Sequence, residues 1–136
     1  MENQKNNKAI NIALWVVQVL LGLMFLMAGA TKTFQPMEVL AESLPWVTET
    51  SSALVRFIGI SELLGGIGLL LPSILRIKPF LTVWAAIGLA TIMLFAAIFH
   101  GSRGEFSAIG INAVFMALAG FVAWGRSKKA PILPKG

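Results

Sequence analysis

The chain has 136 residues, of which 57% are hydrophobic and 12% charged, with a formal net charge of +5. A soluble domain usually carries about 25% charged residues, so the composition selects a single-domain polytopic membrane protein. The absence of Cys, Tyr and Asp, with only one His, excludes disulfides, thiolate metal sites, iron–sulfur clusters, tyrosine acid–base chemistry and a bis-His haem within one copy.

The first residues, Met1 to Lys8, are polar and are expected to lack fixed structure. They have no signal-peptide cleavage pattern, so the next apolar run reads as a retained signal anchor. That run, about residues 10–31, is long enough to span a bilayer. Gln18, Gly22, Phe25, Gly29 and Lys32 fall on one helical face, small and polar, which is expected to pack against protein. Pro36 then opens a short helix with Met37, Leu40, Ala41 and Leu44 on one side, ended by Pro45. This amphipathic segment lies on the membrane or caps the bundle, in a connection made acidic by Glu38, Glu42 and Glu49.

The second span, about residues 53–71, is the informative one. It holds Arg56, Glu62 and the glycines Gly59, Gly65, Gly66 and Gly68, and it is expected to close at Pro72. An ionised carboxylate at bilayer depth costs a few kcal/mol on insertion scales and normally faces a bundle interior with a partner. Arg56 and Glu62 sit about 120° apart around a helix, so they do not form an intrahelical pair. Lys32 or Asn112 is the expected partner of Glu62, while Arg56 snorkels to headgroups or pairs with the acidic connection. A third span covers about residues 79–99, with Ala86, Ala90, Met93, Ala97 and His100 along one stripe. A fourth covers about residues 106–124, striped by Ala108, Asn112, Phe115, Ala119 and Ala123. The basic tail, residues 125–136, reads as lacking fixed structure.

The expected fold class is therefore an all-α membrane protein, a four-transmembrane-helix bundle with a short amphipathic helix in the first external loop. Lys5, Lys8, Arg76, Lys78, Arg126, Lys128, Lys129 and Lys135 fall on one side, against Lys32 and Arg103 on the other. This bias places both termini in the cytoplasm of a multi-pass protein of the cell membrane, and it accounts for the positive charge without nucleic acid. Lys32, Arg56, Glu62, His100 and Asn112 then occupy the outward half of the bilayer, with Gln18 deeper, and the inner half is expected to be apolar. These six residues form the candidate ligand-binding pocket; no catalytic residue and no metal site is assigned. Each also has a plainer reading. Glu62 serves equally as a structural ion pair, His100 as an interfacial histidine, Asn112 and Gln18 as interhelical glue, and the glycines as packing sites.

GLMFLMAGATK at Gly22–Lys32, SELLGGIGLLL at Ser61–Leu71 and Asn112 early in the last helix resemble the DoxX-like family of small four-helix membrane proteins, over about residues 10 to 125. The resemblance implies a four-helix bundle, and it implies roles as subunits of quinone-linked sulfur oxidoreductases or partners in membrane oxidative-stress complexes. The wider superfamily adds assembly factors and cargo receptors. Thiol chemistry does not carry over to a chain without cysteine, and only Lys32, Glu62 and Asn112 transfer, as a polar pocket. The resulting expectation is an accessory membrane subunit, more a binder than an enzyme, with an outward pocket for a lipophile such as a quinone and no covalent cofactor. Its partners would be membrane lipids, an oxidoreductase subunit that supplies electrons, and further copies of itself. The alternatives are an assembly factor whose polar network is structural and an oligomeric proton-coupled transporter.

Overall fold

In a computed structural model, which describes residues 2–135, each apolar run forms one helix long and apolar enough to cross a membrane, four in all. The elements are α1 (Glu2–Phe34), α2 (Met37–Ser43), a 3₁₀ turn (Pro45–Glu49), α3 (Ser52–Leu75), α4 (Phe80–Ser102) and α5 (Phe106–Trp124). There are no strands among the described residues. At 1.5 Å per residue, the 33 residues of α1 make about 50 Å of helix. That exceeds a bilayer core of about 30 Å, so its first turns project beyond it. The polar N-terminal residues are therefore helical from Glu2 onward, against the expectation of disorder. A helix already nucleated by an apolar span extends into polar residues at little extra cost.

The helices run around the bundle in the order α1, α3, α4, α5, with α1 packed most extensively on α3 and α4 on α5. Leu21 and Phe25 of α1, Leu69 of α3, Leu89 and Met93 of α4 and Val122 of α5 meet in the central core. α3 is the spine because its glycines serve two neighbours. A Cβ at Gly59 would lie 2.7 Å from the Cβ of Lys32, and one at Gly66 would lie 2.9 Å from the carbonyl oxygen of Gly22. Only glycine at these positions lets the α1 and α3 backbones approach so closely. On its other side, Gly65 and Gly68 receive Leu89 and Ala85 of α4.

α3 does not stop at Pro72 but continues to Leu75. Proline lacks the N–H that would bond the carbonyl four residues back, which leaves Gly68 O free. Thr82 of α4 fills the gap, its hydroxyl donating to Gly68 O at 3.0 Å. The helix then ends at Arg76 in a left-handed conformation (φ 56°), and Lys78 (φ 46°) completes the tight turn into α4.

The first connection is a cap across one end of the bundle. Leu40, Val47 and Val55 bury a small cluster, and Met37, Ala41, Leu44 and Trp46 pack on it. The apolar side of α2 thus faces the bundle as its periodicity indicates. The first turns of α1 and the residues after α5 lie at the opposite end of the bundle.

A capped cavity between the helices

Near the capped end the helices border a partly open cavity of about 630 Å³, lined by α1, α3, α4, α5 and the cap. Its walls are mainly aromatic and aliphatic, with Phe25, Phe57, Phe95, Phe99 and Phe115 among them, and Trp46 and Leu44 contributed by the cap. Four of the six candidate residues border it: Lys32, Glu62, His100 and Asn112.

The close α1–α3 approach at Gly59 positions the first pair. Glu62 lies one turn beyond Gly59 on the same side of α3, so the side chain of Lys32, whose backbone rests on Gly59, reaches it. Lys32 Nζ lies 2.6 Å from Glu62 Oε1 and donates to it. The two side chains are 14% and 4% exposed, which makes this a desolvated, charge-assisted bond rather than a surface pair. Lys32 is thereby the partner that the carboxylate requires.

Asn112 is in a different state. Its side chain is buried on α5 at the cavity, and its amide nitrogen Nδ2 has no hydrogen-bond partner. An unmet buried donor normally costs about 1–3 kcal/mol, so such groups are rare and call for an explanation.

His100 closes the capped end of the site. Its Nδ1 lies 3.0 Å from Glu105 Oε1, and Arg103 Nε donates to the same oxygen at 3.0 Å. Gly104 (φ +75°) makes the tight turn that folds Glu105 back over them. Arg103 also lies 3.1 Å from Glu49 of the cap, a contact weakened by the exposure of Glu49. Trp46 stands edge-on to Phe99 and His100, with ring centroids 5.9 and 6.3 Å away. The cap is thus held on α4 mainly by aromatic contact.

Arg56 is beside the site but does not line the cavity. Its Nη1 donates to the carbonyl of Lys32 at 2.9 Å, one of the last carbonyls of α1 that has no partner within its own helix. Arg56 therefore caps α1 and fixes the backbone of Lys32, and among the described residues it forms no ion pair with the acidic connection.

Gln18 does not line this cavity. It sits toward the end of the bundle that carries the termini, in a separate polar network. Its amide nitrogen donates to Leu69 O at 2.8 Å and to Ser73 Oγ at 3.2 Å. The hydroxyls of Ser73 and Thr82 are 2.6 Å apart. Because Thr82 gives its proton to Gly68 O, Ser73 must be the donor between them. On its other side, the Gln18 oxygen accepts from Arg126 Nε. Arg126 Nη1 donates to Asn11 Oδ1 at 2.6 Å and Ala130 O at 2.8 Å, and the guanidinium lies over the Trp15 ring at 5.2 Å. This half of the bundle is consequently not purely apolar, and the tail is not structureless. Residues Gly125–Lys129 continue α5 as a wide π-type turn that buries Arg126. Farther on, the Lys135 N–H donates to Arg76 O at 2.8 Å. Arg126 is the residue that sequence reasoning missed. The signal was Gln18 itself, a polar side chain on an interior stripe with no partner assigned to it.

The chain matches the model of the DoxX-like family over residues 16–122. No significant match was found among curated proteins or among solved structures.

Proposed function

The chain belongs to the DoxX-like family of small membrane proteins, and from that premise we propose that it is an accessory membrane subunit whose cavity binds a lipophile with a hydrogen-bond-accepting head, of which a quinone is the best-fitting class. The observation that carries this reading is the buried, unpartnered amide donor of Asn112, a residue that borders this mainly apolar cavity. Binding sites for small lipophiles combine an apolar slot with a few convergent polar groups, and a quinone carbonyl is an acceptor of the kind that Asn112 lacks. The ammonium of Lys32 is a second donor at the same cavity, held in place by Glu62. Phe25, Phe99 and Phe115 offer flat apolar contact for a ring. A bound quinone would supply two-electron chemistry, and in this reading its electrons come from a partner subunit while the chain binds and orients the ring. In this reading the termini are cytoplasmic by the bias of basic residues, and the cavity lies in the outward half of the bilayer.

The rival reading, an assembly factor with a structural polar network, has one observation in its favour. Lys32, Glu62 and Arg56 satisfy one another and α1, as a locked interface requires. It leaves Asn112 unexplained.

The test is native mass spectrometry of the protein taken gently from quinone-replete membranes, with extraction and identification of bound lipophiles. The expected result is a stoichiometric quinone in the wild type, lost in Asn112→Leu while the folded yield persists. A wild-type protein free of any lipophile, carrying only a partner subunit, would overturn the proposal in favour of the assembly role.

A further inference from the structure

The cavity is closed at the membrane surface by the cap but not toward the lipid. Two of its wall residues, Phe57 on α3 and Phe95 on α4, are 67% and 65% exposed on the outer surface of the bundle. Both flank the seam between those helices. Immediately alongside, a second hollow of about 390 Å³ runs between α3 and α4, lined by Ser61, Leu64, Gly65, Ala85, Gly88 and Leu89, with Ile92. Ile92 borders both spaces, so the groove adjoins the cavity on the side toward the bilayer centre. From Ile92 to Ala85 it follows α4 for about 10 Å.

The groove has the chemistry of a hydrocarbon slot. Its one hydroxyl, on Ser61, is turned back onto Phe57 O at 2.8 Å, which leaves no polar group seeking a partner. Its floor is open at Gly88, where an added Cβ would meet nothing within 4 Å. On the same helix pair, Gly65 and Gly68 are filled by Leu89 and Ala85. The glycines at the helix contact are therefore accounted for by packing, and Gly88 is not.

We propose that this groove holds the hydrocarbon tail of a long-chain amphiphile whose head occupies the cavity. The proposal rests on the cavity binding a lipophile, and it narrows that ligand to one that enters sideways from the bilayer and keeps its tail against α3 and α4. In lipid, a tail gains little hydrophobic driving force from a groove, because acyl chains are equally apolar. What it gains is packing against a fixed surface, so the effect is modest and specific to the tail.

The experiment uses the full chain in lipid nanodiscs. The probes are a tail-less dimethoxy-methyl benzoquinone and its decyl homologue, read by tryptophan fluorescence quenching. Variants are Gly88→Leu, which fills the groove from an open position, and Gly120→Leu, an equally open glycine on α5 that controls for an added leucine on a lipid-facing surface. Asn112→Leu removes the head contact. Each ligand is compared between variant and wild type, so its partitioning into lipid cancels. The expected result is that Gly88→Leu weakens the decyl homologue about tenfold and leaves the tail-less compound unchanged, while Gly120→Leu affects neither. Equal affinity of the decyl homologue for wild type and Gly88→Leu would overturn the tail site alone and assign the groove to ordinary bilayer lipid. Failure of both probes to bind the wild type in an Asn112-dependent way would overturn the cavity reading itself.

Discussion

Changing Glu62 to Gln removes the carboxylate 2.6 Å from Lys32 Nζ and leaves an ammonium in an apolar cavity. Deleting one member of a buried pair typically costs about 3–5 kcal/mol, because the other charge remains desolvated. The two halves of this pair are unequal. Lys32 lies near the end of α1, is 14% exposed, and has a long stem that can carry its charge toward the interface. Glu62 is 4% exposed in the body of α3 and has no such route. Glu62→Gln therefore falls at the lower end, about 3 kcal/mol, and Lys32→Met at the upper end, about 5 kcal/mol. Replacing both, as Lys32→Met with Glu62→Gln, leaves neither charge desolvated and recovers most of the loss. The assay is reversible unfolding in mixed micelles, followed by far-UV circular dichroism for the four proteins of the cycle. Single losses below about 0.5 kcal/mol that simply add in the double variant would show that the pair is solvated and refute the reasoning.

Three further outcomes follow from the packing. Gly59→Ala forces a methyl group against Lys32 and Thr33 and lowers stability by about 1–3 kcal/mol, whereas Gly120→Ala, with open space around it, is neutral or stabilising by up to about 1 kcal/mol; the same unfolding assay ranks the two. Thr82→Val withdraws the donor that satisfies Gly68 O beside Pro72, for a loss of about 1–3 kcal/mol, and an unchanged midpoint would mean that the carbonyl is otherwise met. Asn112→Leu removes an unpaired donor, so the ligand-free protein gains about 1–3 kcal/mol in the same assay even though quinone binding is lost; a less stable variant would show that the amide is already bonded.

The four spans and the cap were legible because each rests on a local property of the sequence: an apolar run of sufficient length, or a stripe at helical spacing. The Glu62–Lys32 pair was legible to within two candidates, since a carboxylate within a span must find a partner and Lys32 and Asn112 were the ones in reach. Arg56 was harder to read because its partner is a main-chain carbonyl, and sequence does not display carbonyls. The network at the other end was hidden twice. Pro72 looks like a helix end, so the carbonyl that it frees and the hydroxyl of Thr82 that answers it were not sought. Arg126, among several basic residues near the terminus, resembles a topology signal, although it is buried and holds the oxygen of Gln18. Charge near a span boundary marks orientation by default, and only packing distinguishes the residue that folds inward.

The arrangement of glycine on α3 has a consequence for how the protein tolerates change. Two sides of that helix are read by close backbone or side-chain contact, Gly59 and Gly66 by α1 and Gly65 and Gly68 by α4. α5, by contrast, presents Gly110 and Gly120 to open space. In a saturation scan scored for folded yield, sensitivity would therefore concentrate at the α3 glycines and fade across the outer surface of α5. Drift between relatives would then spare Gly59, Gly65, Gly66 and Gly68 and accumulate at the open positions of the last helix, Gly110 and Gly120 among them.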